Sequence, residues 1–314
     1  MPQDKPILVT GAAGSVGAVG RTVVETLRRR GLPVRALVHR EDERAEALRA
    51  TGAEVVVADM TRAADVVPAM RGVGRVFFSM SVSPSYLEAA VTMATVARQT
   101  TGIGAFVNLS QMTVSGMTTT STEESRQQRL HWLAEQALTW SGLPLVVVRP
   151  TVFLEHPFFT LFAAASIAER DEIRLPFGGA HTSPVAAGDV AEVVATILAA
   201  PSPHVGKVYE LTGPRSEDMN AVAAEYSEAL GRRITYADMS LKEWIEHDLR
   251  KAKLPEHLAE HIATMARLHA RGRYARLTHD VETVTGRPAT SVKNFVAGHA
   301  ALFGGTRVGS GGLG

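Results

Sequence analysis

Short apolar runs alternate with stretches of helical spacing through the first half of the chain. The runs cover residues 7–10, 34–38, 54–58, 76–79, 105–110 and 145–149. Each is rich in β-branched residues and apolar at consecutive positions, the pattern of a strand covered on both faces. The segments between them, such as 41–50 and 86–99, carry helical spacing. This alternation predicts an α/β fold, a doubly wound parallel sheet. Such sheets bind ligands beyond the carboxyl ends of their strands. The residues that follow each run are therefore the candidate site.

The first run ends in Gly11, Gly14 and Gly17, spaced G-x-x-G-x-x-G, and leads into a segment with Val16, Val19, Val23, Val24 and Leu27 at helical spacing. A strand, a tight glycine turn and a helix N-terminus make a dinucleotide site. Gly11 permits the turn, Gly14 lets the backbone approach a pyrophosphate, and Gly17 lets the helix sit close on the strand. Ala13, Ser15 and Val16 lie between these glycines and share the cradle, where free N–H groups and the positive end of the helix face the phosphates. The second run ends at His39-Arg40. A basic group there suits the 2′-phosphate of NADP(H), whereas NAD(H) calls for an acid, and Glu41 or Asp42 offers one in an alternative register. NADP(H) is the preferred cofactor and NAD(H) the alternative. Asp59 reaches the adenine amine or caps a helix. Met60, Ser79, Met80, Ser81 and Ser110 complete the expected cofactor contacts.

After Pro150 the rhythm changes to a segment rich in phenylalanine and proline and then to a mainly helical one. The expected organisation is a nucleotide-binding domain over 1–150, a substrate-lobe segment over 151–180, and a return to the first domain over 181–213. A helical substrate lobe over 214–278, a packing segment over 279–303 and a flexible glycine-rich tail over 304–314 follow. Charge alters this picture little. The 33 basic and 32 acidic residues nearly cancel, so nothing points to nucleic acid or an anionic membrane. The absence of cysteine excludes disulfides, thiolate metal sites and cysteine nucleophiles. No signal peptide or membrane span is evident, and a cytoplasmic protein is expected. Asn108-Leu109-Ser110 matches a glycosylation sequon but falls in an expected buried strand.

Enzymes that open this way commonly belong to the short-chain dehydrogenase superfamily and use a Tyr-x-x-x-Lys pair as proton donor. None of Tyr86, Tyr209, Tyr226, Tyr236 and Tyr274 is followed by such a lysine, and no lysine stands between Lys5 and Lys207. Where the pair normally lies, this chain has His131-x-x-x-Glu135. Imidazole titrates near neutrality, so His131 is the candidate catalytic acid, with Glu135 on the same helix face to orient it. His131 also stands as a substrate contact, beside Gln111, Met112, Phe153, Phe158 and Phe159. The phenylalanines line an apolar pocket at the lobe junction or, at helical spacing, pack in the core. His257-x-x-Glu260-His261 matches a zinc-protease pattern, but an amphipathic helix explains its spacing, and no metal is expected.

The order of further motifs resembles the NmrA-like group of atypical short-chain dehydrogenases, especially its quinone oxidoreductases and triphenylmethane reductases. The matching pieces include the glycine start, His131-x-x-x-Glu135, Ser141-Gly142-Leu143-Pro144 and Val148-Arg149-Pro150. Ala187-Gly188-Asp189, the stretch from Gly206 to Pro214, Gly231-Arg232-Arg233 and Thr285-Gly286-Arg287-Pro288 follow in order. The resemblance implies a Rossmann fold of the extended or atypical type and NADPH-dependent hydride transfer to a quinone-like or other conjugated small molecule. That chemistry needs no tyrosine, because the conjugated acceptor stabilises the charge it receives. The group also contains redox-sensing regulators and non-redox enzymes such as cyclases and isomerases, so these stand as alternatives.

Overall fold

The computed structural model describes residues 5–14 and 17–304. The flexible-tail expectation falls on residues beyond 304, outside those described. In chain order the elements begin β1 (Ile7–Val9), α1 (Val19–Arg29), β2 (Val34–Val38), α2 (Glu43–Ala50), β3 (Glu54–Val57) and α3 (Ala63–Met70). There follow β4 (Arg75–Phe78), α4 (Tyr86–Gln99), β5 (Ala105–Leu109), α5 (Arg126–Trp140), β6 (Leu145–Pro150), α6 (Ala164–Arg170) and β7 (Glu172–Leu175). The last are α7 (Ala187–Ala199), β8 (Val208–Leu211), α8 (Met219–Leu230), β9 (Thr235–Asp238), α9 (Leu241–Trp244), α10 (Glu256–Ala270), α11 (Asp280–Thr285) and α12 (Val292–Gly298).

The chain divides into two compact units. The first comprises residues 1–151, 187–212 and 278–288. Its sheet has seven strands in the order β3-β2-β1-β4-β5-β6-β8, all parallel. This is a Rossmann-type sheet, and its order reverses between β1 and β4, where such sheets open a ligand crevice. One face buries Leu8, Leu37, Val76, Phe78 and Phe106 under residues of α3, α4 and α5 such as Val66, Met93 and Ala134. The alternate residues Ile7, Val9, Phe77 and Val107 point the other way and are equally buried, which explains the unbroken apolar runs. There α1 packs on α7, and α7 crosses β4 and β5. The free edge of β8 is guarded: Glu210 N–H donates to Asp280 Oδ2 at 2.8 Å, and the Thr278 hydroxyl donates to the Glu210 carbonyl. Asn108, the sequon residue, is fully buried inside β5.

Thr10, Ala58, Ser79 and Ser110, read as the last residues of strands, all lie just past the strand ends. A second difference concerns the glycines. Gly17 has a φ of +64°, a left-handed backbone that favours glycine. A close approach that sequence reasoning did not single out is made by Gly20, inside α1, where a Cβ would sit 2.5 Å from the Gly11 carbonyl oxygen.

The second unit comprises residues 152–186, 213–277 and 289–314. It is mainly helical, but β7 and β9 form a two-stranded parallel sheet that the sequence pattern did not reveal. Two short π-helical segments, Phe158–Ala163 and Ile245–Leu249, flank its core. They meet at Trp244, whose ring lies 5.9 Å from Phe158 and 5.0 Å from Phe162.

Gly20→Ala tests the packing of α1 on β1. The methyl group forces backbone apart, so unfolding stability should fall by about 1–3 kcal/mol. Gly188→Ala in α7 is the control, since its Cβ would meet nothing within 4 Å; it should stabilise by roughly 0.5–1 kcal/mol. Urea titration measures both, and equal midpoints for the two variants would contradict the steric argument.

Candidate cofactor and active site

The glycine loop follows β1, which lies beside β4, the central strand of the first unit's sheet. Gly11 has a φ of +65°, and a Cβ there would stand 2.8 Å from the Ser79 carbonyl oxygen at the end of β4. Thr10 locks this approach: its hydroxyl donates to that carbonyl at 2.8 Å and accepts from the Ser79 N–H at 2.9 Å. Sequence reasoning did not single out Thr10, although a hydroxyl residue before the first glycine was visible. The Gly14 N–H donates to the Gly11 carbonyl at 3.0 Å, which curls the loop. A Cβ on Gly14 would lie 3.1 Å from that same oxygen. Ser15 and Val16, expected in this cradle, lie outside the described residues. Among the described residues no side chain caps the N-terminus of α1, which leaves its first N–H groups to an anion. The backbone cradle fits a pyrophosphate.

His39 and Arg40 follow β2 and are both exposed. Among the described residues Arg40 has no hydrogen-bond or ion-pair partner. The acids of the alternative register are engaged. Glu41 pairs with Arg49, and Asp42 caps α2 through Oδ1 while its Oδ2 holds Arg44. Each arginine holds its partner carboxyl below the usual carboxylate range. Arg44, which sequence reasoning passed over, also donates from Nη1 to the Ala13 carbonyl at 2.8 Å. Asp59, half-buried after β3, accepts from the Thr61 N–H at 2.9 Å and hydroxyl at 2.7 Å, which lowers its pKa. Met60, Ser79 and Met80 are half-buried and Ser81 is exposed.

At the ends of β5 and β6 the hydroxyls of Ser110 and Thr151 are buried and lack a hydrogen-bond partner among the described residues. So does the Asn108 amide. A buried orphan polar group costs about 1–3 kcal/mol, and Ser110 and Thr151 stand where a parallel sheet receives its ligand. Gln111 is half-buried, with Oε1 accepting from the Thr113 hydroxyl at 3.2 Å, and Met112 is buried.

His131 lies on α5 with its ring centroid 3.9 Å from that of Tyr86. Tyr86 is fully buried and donates to the Leu109 carbonyl at 3.2 Å. Burial and the nearby Glu135 carboxylate push its phenol far above the usual range, so it stays neutral. Glu135 does not take the orienting role read from its spacing. Its two oxygens accept from Arg149 Nε at 3.1 and 3.2 Å, and Oε2 also accepts from Nη2 at 2.5 Å. Arg149 further pairs with Glu210 at 3.6 Å. Three motifs distant in sequence thus form one ion triad joining α5, β6 and β8, and Tyr86 is the ring against His131.

In the second unit Phe153 is half-buried and bridges Val185. Phe158 and Phe159, offered as pocket-lining residues, are fully buried in that unit's own core. Phe158 touches the rings of His156, Phe177, Trp244 and His269. Of the histidines here, His156 and His269 escaped the sequence reading. His269 is stacked between Phe177 at 4.1 Å and Tyr274 at 3.7 Å, and its Nδ1–H donates to the Met265 carbonyl at 2.9 Å. Burial lowers His269 to about 3 and His261 to about 4. His156 is also held well below the ordinary value, by desolvation and by His261 and His269. The zinc-like pattern dissolves, because His257 and Glu260 are exposed while His261 is buried. Among the described residues no group of three His, Cys, Asp or Glu is placed to hold a metal, and no helix is long and apolar enough to cross a membrane.

Residues 14–201 match the NAD(P)H-binding family, and the chain belongs to that family. It is an NAD(P)H-dependent oxidoreductase of the NmrA-like, atypical short-chain dehydrogenase type. It is 30% identical over 300 residues to an NAD(P)H azoreductase of Xenophilus azovorans, covering 95% of this chain and 99% of that one. It is 32% identical over 297 residues to a (4-alkanoyl-5-oxo-2,5-dihydrofuran-3-yl)methyl phosphate reductase of Streptomyces griseus subsp. griseus, covering 95% and 99%. A crystal structure of the NADPH-dependent quinone oxidoreductase QOR2 from Escherichia coli, complexed with NADPH, shares the fold. Its TM-score is 0.79 at 23% identity, with 94% of this chain and 99% of that chain covered.

The buried histidines predict acid sensitivity. Their folded pKa values lie below the unfolded value, so the neutral forms are favoured by folding. Stability is then complete above about pH 6.5 and falls as pH drops from there toward the folded values, by on the order of 1 kcal/mol per pH unit for each histidine. Urea unfolding between about pH 7 and about pH 5 should show this slope. His269→Phe, which keeps the ring stack, should reduce it; an unchanged slope would mean that other groups carry the acid sensitivity.

Proposed function

We propose that the chain is an NADPH-dependent reductase of quinone-like and other conjugated acceptors. The observation that carries the reading is the phosphate cradle beside a second-strand end whose acids are engaged and whose Arg40 is not. Gly11, Ala13, Gly14 and the α1 N-terminus hold the pyrophosphate. Arg40, with His39 beside it, receives the 2′-phosphate, and Asp59 meets the adenine edge. Ser79 to Ser81 and the Ser110 hydroxyl border the nicotinamide end. NADPH bound in this way supplies a hydride.

The remaining chemistry falls to this chain's residues and to the acceptor. No Tyr-x-x-x-Lys pair is present, and Tyr86 is held neutral. A conjugated acceptor spreads the charge it gains, so protonation can follow from a weak acid or water. His131 is the side chain proposed to supply that proton, with Tyr86 fixing its ring. The named acceptors of the relatives agree in chemistry, since an azo bond and an unsaturated lactone are both conjugated electrophiles. Gln111 is the proposed acceptor contact.

Stopped-flow oxidation of NADPH with a panel of quinones, enones and azo dyes tests the activity. Turnover above background is expected for at least one class. Tight binding without turnover would favour a redox sensor, and a product of unchanged mass would favour an isomerase. Cofactor choice has its own test. Arg40→Ala should weaken NADPH by about ten- to a hundredfold, the worth of a charge-assisted phosphate bond, and leave NADH nearly unmoved. Gly14→Val should damage both by closing the cradle. Equal loss of both cofactors on Arg40→Ala would remove the case for NADP.

A further inference from the structure

We propose that Arg44 is a second ligand of the 2′-phosphate, and that Asp42 is the carboxylate it exchanges for that phosphate. The inference rests on the reading that the site takes NADP(H). Its geometry comes from the first turn of α2. The guanidinium of Arg44 stands between the end of β2 and the glycine loop, because Nη1 donates to the Ala13 carbonyl at 2.8 Å. That is the side of the cradle where a ribose 2′-substituent is read in such folds.

The two oxygens of Asp42 divide their work. Oδ1 accepts from the backbone N–H groups of Arg44 at 3.0 Å and Ala45 at 3.4 Å, which caps the helix. Oδ2 accepts from Arg44 Nε at 3.0 Å and also from Nη2. Arg44 can therefore leave Oδ2 without uncapping α2. The side chain of Arg44 is 51% exposed and that of Asp42 33%, so the pair is solvent-screened and weak. A phosphate carries more charge and presents several acceptor oxygens to the same planar fork. The exchange is downhill for Arg44. It leaves the Asp42 carboxylate near the incoming anion, so Asp42 restrains NADPH affinity.

Arg49 shows why Arg44 is the cation of choice on this helix. The Arg49 guanidinium is held by both Glu41 and Glu46, and among the described residues nothing ties it to the glycine loop. Arg44 alone on α2 spans from the second-strand turn to the loop. Phosphate binding at Arg44 is thereby coupled to the position of Ala13.

Titration of the full chain with adenosine 2′,5′-bisphosphate and with adenosine 5′-monophosphate tests the proposal, alongside NADPH and NADH. Arg44→Gln should weaken the bisphosphate and NADPH by about tenfold and leave the monophosphate and NADH unchanged. Arg44→Lys, which keeps charge but not the fork, should recover part of the loss. Asp42→Asn keeps a good helix cap and should tighten NADPH by about two- to fivefold. Most of that gain should vanish in the double variant with Arg44→Gln. Equal weakening of both nucleotides by Arg44→Gln would make the residue a loop support and overturn the proposal, as would Asp42→Asn without any tightening. If Arg40→Ala discriminates between NADPH and NADH while Arg44→Gln does not, this inference alone fails. If the chain shows no preference for the 2′-phosphorylated ligands at all, the cofactor reading fails with it.

Discussion

The close contact between α1 and β1 is the constraint on which the first unit depends. Gly20 brings the helix backbone against the Gly11 carbonyl, so near that no side chain fits between them. Gly11 is in turn pressed against Ser79 at the end of β4, with Thr10 bonded to the same residue. Helix, first strand and fourth strand are thus tied at the point where the strand order reverses. The crevice and the available N–H groups of α1 follow from that one approach of backbones. A phosphate needs both at once, since the dipole and the donors act within a turn of the helix end.

A second tie works through charge. Glu135 and Arg149 are mostly buried, with side-chain exposures of 4% and 18%. A buried ion pair of this kind is weak evidence for net stability, but breaking it by removing one partner is costly. Its consequence here is registration. It fixes α5 over β6 and β8, and α5 carries His131 to its place against Tyr86. Tyr86 in turn bonds the carbonyl of Leu109, one residue before the orphan hydroxyl of Ser110. The groups proposed to stand in for a Tyr-x-x-x-Lys pair are therefore held by one network. Such a site suits an acceptor that tolerates late protonation.

The strand and helix pattern was legible from the sequence because burial on both faces leaves a local mark. Runs of consecutive apolar residues mark strands such as β1 and β4, which are covered on both faces, although the partly exposed edge strand β3 carries one too. The glycine turn was legible for the same reason, since left-handed backbone and close approach restrict residue choice at single positions. The two strands of the second unit, β7 and β9, left no such mark. Residues such as Glu172, Arg174 and Asp238 interrupt their apolar pattern.

The sequence by itself determined the parallel sheet, the dinucleotide turn, the family and the positions along the strand ends where the site would lie. Tertiary structure alone decided that Gly20 packs against Gly11 and which charges meet. Helical spacing offered Glu135 to His131, yet Arg149 reaches it from another element; position in the chain offered Asp42 to a ribose, yet it holds Arg44 and caps α2. Phe158 and Phe159 looked equally fit for pocket or core, and packing in the second unit placed them in the core. The physical reason is common to Glu135 and the two phenylalanines, whereas Asp42 is engaged by a residue only two positions on. Backbone preferences and amphipathic periods act over a few residues, whereas the partner of a charge and the burial of a ring depend on elements brought together from far along the chain.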